Sequence, residues 1–343
     1  MTKISLYPIV SLLVAAFIAT SDASASVKIS IEPTKSVKSD LASTRLLTDI
    51  ISVGQNLVAV GERGHIILSD NGVDWTQANV PVNVLLTSIA FSNESVGFAA
   101  GHDATILKTV DGGKNWELLN YQPELDRPLL SITAVNNSVV AVGAYGLYWQ
   151  SDDLGLTWQQ EFHDELLLAE DREFLLDMKE SDPEVYETEK QYLLPHFNDI
   201  YVNKDTWYLA GEAGFLATSK NQGRDWVKLP VDYYGSFFSL ANNNKGELVV
   251  AGLRGNIFEQ KSQDSWSEFT MKGNATINDI LVIDGALYLF ANSGNLYFSK
   301  TGDSFNHHIF EDGKAVMAGA LNNNNIVLAT EAGIKSISLA TLK

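Results

Sequence analysis

The chain has 343 residues, no cysteine and a formal net charge of −18 at neutral pH. Without thiols, neither disulfides nor thiolate metal centres can hold it together, and its acidity makes nucleic acid and anionic lipid surfaces poor partners.

Met1 to Ala25 reads as a cleavable export signal. Lys3 supplies a positive start, Ile9 to Ile18 is an apolar run of ten residues, and Ala23-Ser24-Ala25 is a small-x-small cleavage site. Ten apolar residues are too few to span a bilayer, and no later stretch approaches the roughly 18 that spanning requires. The expected location is therefore the periplasm, with an extracellular protein as the alternative, and no direct membrane insertion. Residues 26–343 are expected to form one domain. It begins with the alternating stretch Val27 to Glu32, which suits a strand.

From Leu46 onward the sequence repeats. Aligned on the last position of a G-x-x-G turn, seven copies end at Gly64, Ala104, Gly146, Gly214, Gly255, Gly294 and Gly333, with successive separations of 40, 42, 68, 41, 39 and 39 residues. Each copy carries a short apolar run, a polar turn, a second run into G-x-x-G, a third run out of it, and an Asp- and Gly-rich loop ending in an aromatic residue. Four short strands per unit at a period near 40 predict a seven-bladed β-propeller, an all-β fold.

The loops match the Asp-box pattern S/T-x-D-x-G-x-x-W. Asp111, Gly113 and Trp116 fill it in the second unit, Asp153, Gly155 and Trp158 in the third, and Asn221, Gly223 and Trp226 in the fourth; Asp70, Gly72 and Trp75 correspond in the first. The acid or amide oxygen binds amides of its own turn, glycine supplies a positive φ, and the indole fills space between sheets. These residues are therefore read as structural staples. In the fifth and sixth units Lys261 and Lys300 stand where Asp is expected, and Phe305 replaces Trp in the sixth. The seventh unit has no aromatic after its turn, so a segment between Val27 and Leu47 is expected to supply its last strand and close the ring.

The 68-residue interval holds an insertion at about 163–195, between blades 3 and 4. Glu161 to Lys190 contains twelve acids against three bases, a net of −9. Leu167, Phe174, Leu175 and Met178 are spaced as one helix face, with Glu170, Asp171 and Asp177 off it. Ser181 or Asp182 can cap a second helix that starts with Pro183. A helical hairpin, Glu165 to Lys179 and Pro183 to Leu194, is expected. Its place between the last strand of one blade and the first of the next puts it on the face of the G-x-x-G turns, together with Arg63, Asp103, Tyr145, Glu212 and Arg254. The candidate partner-binding set is these five with Leu167, Glu170, Asp171, Phe174 and Met178. Arg63 and Arg254 can grip a carboxylate, and the acids can steer a basic partner.

No catalytic, metal or cofactor motif is evident. His307 and His308 are adjacent on an expected strand and point to opposite faces, and the other histidines are scattered. A sialidase-type glycoside hydrolase needs three converging arginines and a Tyr/Glu pair. Arg45, Arg63, Arg127, Arg224 and Arg254 leave that reading, and a glycan-binding propeller without chemistry, as alternatives.

The units VAVGERGHIILSDNGVDW, AAGHDATILKTVDGGKNW and LAGEAGFLATSKNQGRDW resemble the Asp-box repeats of the photosystem II stability/assembly factor family, over Leu46 to Lys343 apart from the insertion. The resemblance implies a non-enzymatic, exported chaperone or assembly factor that binds a newly made membrane subunit. The acidic insertion resembles relatives from non-photosynthetic bacteria, which implies a membrane exporter of the resistance-nodulation-division type as a partner. A monomeric propeller is expected.

Overall fold

The computed structural model describes residues 31–342 apart from 270, 272 and 303; the export signal and Val27 to Ser30 lie outside the described residues. Every described helix and strand lies in one compact unit, Pro33–Lys343. It is a seven-bladed propeller: six sheets have four antiparallel strands in chain order and the seventh has three. Their first strands are Leu47–Val53, Leu86–Phe91, Leu129–Val135, Phe197–Asn203, Phe237–Asn242, Ile277–Ile283 and Val316–Asn322. Each packs against the first strand of the next blade, and the seventh returns to the first.

The turn between second and third strands recurs with one geometry. The residue after its first glycine donates to the carbonyl preceding the blade's first strand, as Glu62 does to Leu46 at 3.1 Å and Ala144 to Pro128 at 3.0 Å. In the five blades whose turn opens with glycine the backbones also approach too closely for a side chain: a Cβ on Gly143 would lie 2.2 Å from the Pro128 carbonyl oxygen, whereas Ala291 and Thr330 take the position in blades 6 and 7. In blades 1 to 6 the last two turn residues are left-handed, with φ of 54° at Tyr145 and 68° at Gly146.

The Asp-box loops are held by hydrogen bonds to their own backbone amides. Asp111 Oδ1 accepts from the Asn115 amide at 3.0 Å and Asp153 Oδ1 from the Thr157 amide at 2.8 Å, while Thr109 and Ser151 accept from the Gly113 and Gly155 amides. Asn221 does the same for Asp225. In the first blade the loop is one residue shorter, so Asn71, not Asp70, supplies the oxygen, accepting from Val73 and Asp74 at 2.8 Å. Trp116 and Trp226 are buried, and Trp75 and Trp158 half-buried. In the fifth blade, where Lys261 occupies the Asp position, Lys261 pairs with buried Glu259, which also accepts from Asn243 at 2.5 Å. An ion pair has replaced the staple.

The blades are joined at the centre by side chains on their first strands. All seven first strands shift register against their second strands near the second residue, as between Leu47 and Asp49. Such a bulge releases a backbone N–H from the ladder. The third residue of one blade then accepts from the amide of the fourth residue of the next: Ile89 N to Asp49 at 2.9 Å, Ile132 N to Ser88 at 3.3 Å, Ile200 N to Ser131 at 3.3 Å, Leu240 N to Asp199 at 3.0 Å and Ile280 N to Ser239 at 3.1 Å. A parallel belt runs one residue earlier. Thr48, Thr87, Asn198 and Asn278 donate to the Leu86, Leu129, Phe237 and Val316 carbonyls at 2.7–2.9 Å.

This arrangement gathers Asp49, Asp199 and Asp279 around the centre of the ring. Burial raises all three carboxyl groups above the usual range. Asp199 stands at about 6, and Asp279, which also feels the charges of Asp49 and Asp199, at about 7.

The seventh blade differs from expectation over the described residues. From Pro33 to Leu46 no strand pairs with the third strand of that blade, Gly333–Ser338. Instead the segment lies across the seam between blades 7 and 1. Ser36 donates to Val80 at 3.1 Å and Ser39 to the Gln77 side chain at 2.8 Å on blade 1, and the turn Ala42–Thr44 sits on Gly333 of blade 7. Its Pro, Ser and Lys residues lack the alternation a strand needs. Beneath it, Ala42, Leu47 and Ile50 pack with Ala318, Ala320 and Val327.

Two outcomes follow from this packing. Replacing Gly143 by Ala should lower stability by about 1–3 kcal/mol through the forced clash; an unchanged thermal melt would remove the steric account of the turn. For the central carboxylates the sign is fixed by their raised values. Folding favours their protonated forms, so their contribution is greatest near about pH 4 and is lost as pH rises through about 6 to 7. Asp279→Ser should flatten that fall and raise stability at about pH 8 by about 1–2 kcal/mol. A steeper fall in the variant's melting temperature with pH would contradict it.

Candidate functional site

The insertion leaves blade 3 after Gln159–Gln160 and re-enters blade 4 at Phe197. It forms α1, Ala169–Ser181, and α2, Pro183–Glu189, both shorter than expected from the sequence. Asp182 is the cap, accepting from the Val185 amide at 3.2 Å, while Ser181 donates back to the Asp177 carbonyl. Leu167 lies in the loop before α1 and not on it, yet it is buried with Leu166, Leu175 and Leu194 against Phe197, Phe215 and Trp226. Phe174 is 44% exposed, because the inward row of α1 is Asp171, Leu175 and Met178. Glu170 faces solvent.

Three contacts fasten the hairpin. At its entry buried His163 bonds Glu165 at 3.0 Å, and the same carboxylate oxygen accepts from the Trp226 amide at 3.2 Å. Burial opposes ionisation of Glu165, but these bonds together hold its carboxyl below the usual range. At its exit Leu194 lies over the blade 3 turn, in the space a Cβ on Gly146 would need. Between them Arg127, 5% exposed, donates to Gln191 at 2.8 Å and lies 4.7 Å from the Tyr192 ring and 5.7 Å from the Tyr145 ring. Among the described residues no carboxylate pairs with it. The two rings and the amide stand in for a counter-ion.

The hairpin and the blade 4 turn enclose a groove of about 610 Å³. Its walls include Leu166 to Leu168, Tyr192 to Pro195 and Phe215, with Tyr145, Asp171, His196, Glu212, Lys228 and Tyr234 supplying the polar groups. His196 packs edge-on to Tyr145 at 4.5 Å and lies 3.5 Å from Glu212. Lys228 donates to the Leu167 carbonyl at 3.2 Å; burial lowers its pKa, against the pull of Asp171. The aromatic and aliphatic rim is open: Tyr234 is 87% exposed, Tyr192 58% and Leu168 57%.

Of the residues singled out in the sequence, the groove brings together Tyr145, Leu167, Asp171 and Glu212, with Glu170, Phe174 and Met178 on the adjoining helix. It does not include Arg63, Asp103 or Arg254, which occupy the left-handed position of the turns in blades 1, 2 and 5. Arg63 instead lines a separate depression with Arg45 and His65. Arg224 pairs with Asp152 beside the Asp-box loops and Arg127 is enclosed, so these two do not join the turn arginines. Leu168, Tyr192, His196 and Tyr234 carry no motif in the sequence, and Arg127 stands out there only as one of the arginines a sialidase would need. The signals were Arg127 directly before Pro128 and the Tyr233-Tyr234-Gly235 run ahead of blade 5. A larger depression near the Asp-box loops of blades 3 and 4 is lined mostly by polar residues, with the exposed Arg224–Asp152 ion pair in its wall.

If Arg127 is the clasp, Arg127→Ala should loosen the hairpin while the ring stays folded, since two cation–π contacts and a bond contribute about 1–3 kcal/mol. Limited proteolysis should then cut within residues 164–193 at least about tenfold faster, and equal cleavage rates would refute it.

The sequence matches the family described as photosynthesis system II assembly factor YCF48 over residues 68–171. The photosystem II assembly lipoprotein Ycf48 of Trichormus variabilis is 43% identical over 54 residues, 16% of each chain. The chloroplastic photosystem II stability/assembly factor HCF136 of Arabidopsis thaliana is 24% identical over 241 residues, 66% of this chain and 58% of that one. The chain thus spans well under two thirds of the length of these relatives. Among solved structures, YCF48 bound to D1 peptide superposes with a TM-score of 0.66 at 14% identity, covering 90% of this chain and 99% of the other. In its repeats and its fold, the chain resembles the Asp-box propellers of the photosystem II assembly factors.

Proposed function

We propose that this protein is a non-enzymatic, periplasmic assembly or accessory factor that docks a membrane-protein partner on the face carrying the acidic hairpin. The observation that carries the reading is the groove between hairpin and blade 4 turn, an apolar cleft with three large exposed side chains on its rim. Open apolar surface of this kind costs solubility unless it is covered by a partner. The relatives' names support assembly, and one structural neighbour is a complex with a peptide. The apparent signal at Met1 to Ala25 supports export, as does the name lipoprotein given to the cyanobacterial relatives. Hydrolysis of a glycoside is disfavoured, because Arg127 is sealed under tyrosines and Arg224 is committed to Asp152.

In-cell crosslinking followed by affinity capture of the tagged protein tests this. Capture of a membrane protein should be lost when residues 164–193 are replaced by a short Gly/Ser loop, with the propeller's circular dichroism retained. Undiminished capture by a folded deletion variant would refute the role given to the hairpin face.

A further inference from the structure

The partner's chemistry can be narrowed from the charges around the groove. α1 carries Glu170, Glu173, Asp177 and Glu180 and α2 carries Glu184, all exposed and, among the described residues, without a basic group within 4.0 Å. Glu212 stands across the groove, its side chain 44% exposed, and among the described residues His196 is the basic group within 4.0 Å of it. Lys228 is the basic residue in the lining, and its ammonium is turned to the Leu167 carbonyl. A cleft with an apolar floor and rim, with Asp171 and Glu212 in its walls and the further acids exposed on the helix pair that borders it, is complementary to one kind of chain.

We infer that the groove receives a short protein segment in which one or two large apolar side chains are flanked by lysine or arginine. The apolar side chains enter between Leu168, Tyr192 and Tyr234, and the flanking cations lie along the α1 acids and Glu212. Anchoring comes from burial in the cleft and selectivity from the charges, which also accelerate encounter at low salt. An acidic or uncharged segment gains only the first. This inference rests on the proposal that the hairpin face docks a protein.

The test uses the whole mature protein and three labelled synthetic peptides of equal length. One alternates lysine with leucine and carries a central phenylalanine, one has glutamate for lysine, and one keeps the lysines but has serine for every apolar residue. Fluorescence anisotropy should detect binding of the first alone, weakening about tenfold or more as salt screens the charges. The exposed-site variant Leu168→Ser/Tyr234→Ser should lose about tenfold in affinity, as should Glu170→Lys/Glu173→Lys. Equal binding of the serine or the glutamate peptide, or undiminished affinity in the Leu168/Tyr234 variant, would overturn the inference. The cellular capture experiment separates the two claims. Capture lost on hairpin deletion but kept in the Leu168/Tyr234 variant defeats this inference alone, and capture surviving the deletion defeats the docking proposal itself.

Discussion

The architecture depends on one hydrogen bond repeated at five successive blade junctions, from the amide of the fourth residue in a first strand to the third side chain of the blade before it. A propeller blade is a small twisted sheet with two faces to bury, and apolar packing alone fixes neither the distance nor the angle between neighbours. The bulge and the side chain that meets it set both. The third position reads Asp49, Ser88, Ser131, Asp199, Ser239, Asp279 and Ala318 around the ring. No two carboxylates fall on neighbouring blades. A serine can donate to a carboxylate while accepting from an amide, as Ser131 does toward Asp199 and Ser239 toward Asp279. Two adjacent carboxylates would both be acceptors. The alternation is what allows charged groups into so confined a place. The exception, Ala318, marks the seam with blade 1, where small residues pack closely and the segment from Ser36 to Thr44 crosses outside.

A ring fixed in this way can carry an addition on one face without being distorted by it. The hairpin touches blades 3 and 4 through buried leucines, through His163 with Glu165, and through Arg127 beneath Tyr145 and Tyr192. Each fastening recruits a residue already placed by the blade: Gly146 and Tyr145 belong to the turn, and the Trp226 amide to the Asp-box loop. The groove is therefore defined on one wall by the rigid turn of blade 4 and on the other by a helix pair whose position is set at both its ends. Positioning by a scaffold, with recognition on the loops it displays, is the general logic of such surfaces.

The ring itself was legible because its constraints are local. The turn glycines, the Asp-box residues and the 40-residue period each impose a residue type at a fixed spacing, and repetition multiplies the signal. The hairpin was legible in its existence and sign of charge, and less so in its ends, since Leu167 shares the helical spacing but lies in the loop before α1. What could not be read were contacts between parts distant in sequence. Arg127 meets Tyr192 only because the insertion returns over blade 3, and Tyr234 and Leu168 line one groove only because the chain leaving blade 4 runs beside the start of the hairpin. Asn71 was overlooked because deletion of one residue moves the binding oxygen to the neighbouring position. The central serines and aspartates have no conspicuous motif, yet hydrophobic-x-[Asp/Ser]-[Ile/Leu] recurs in six of seven first strands and would have revealed the belt.

The hairpin's acidity is not explained by the needs of its own helices. Near the start of α1, Glu170 and Asp171 suit the positive end of the helix dipole, but Asp177 and Glu180 stand near its other end, where negative charge is unfavourable. Lys179 is the basic residue in that last turn, and Arg172 is drawn away to Asp164. Nine of the chain's 18 net negative charges fall in thirty residues, so the helices stand in a field of their own making that disfavours their compactness. Lysine at several of those positions would relieve the repulsion and add supporting pairs one turn apart. A helix pair optimised for stability would be mixed in sign. This one spends part of the stability supplied by Leu166, Leu175 and Leu194 to keep a uniformly negative surface beside an open apolar cleft, and that combination has meaning only with respect to something outside the chain.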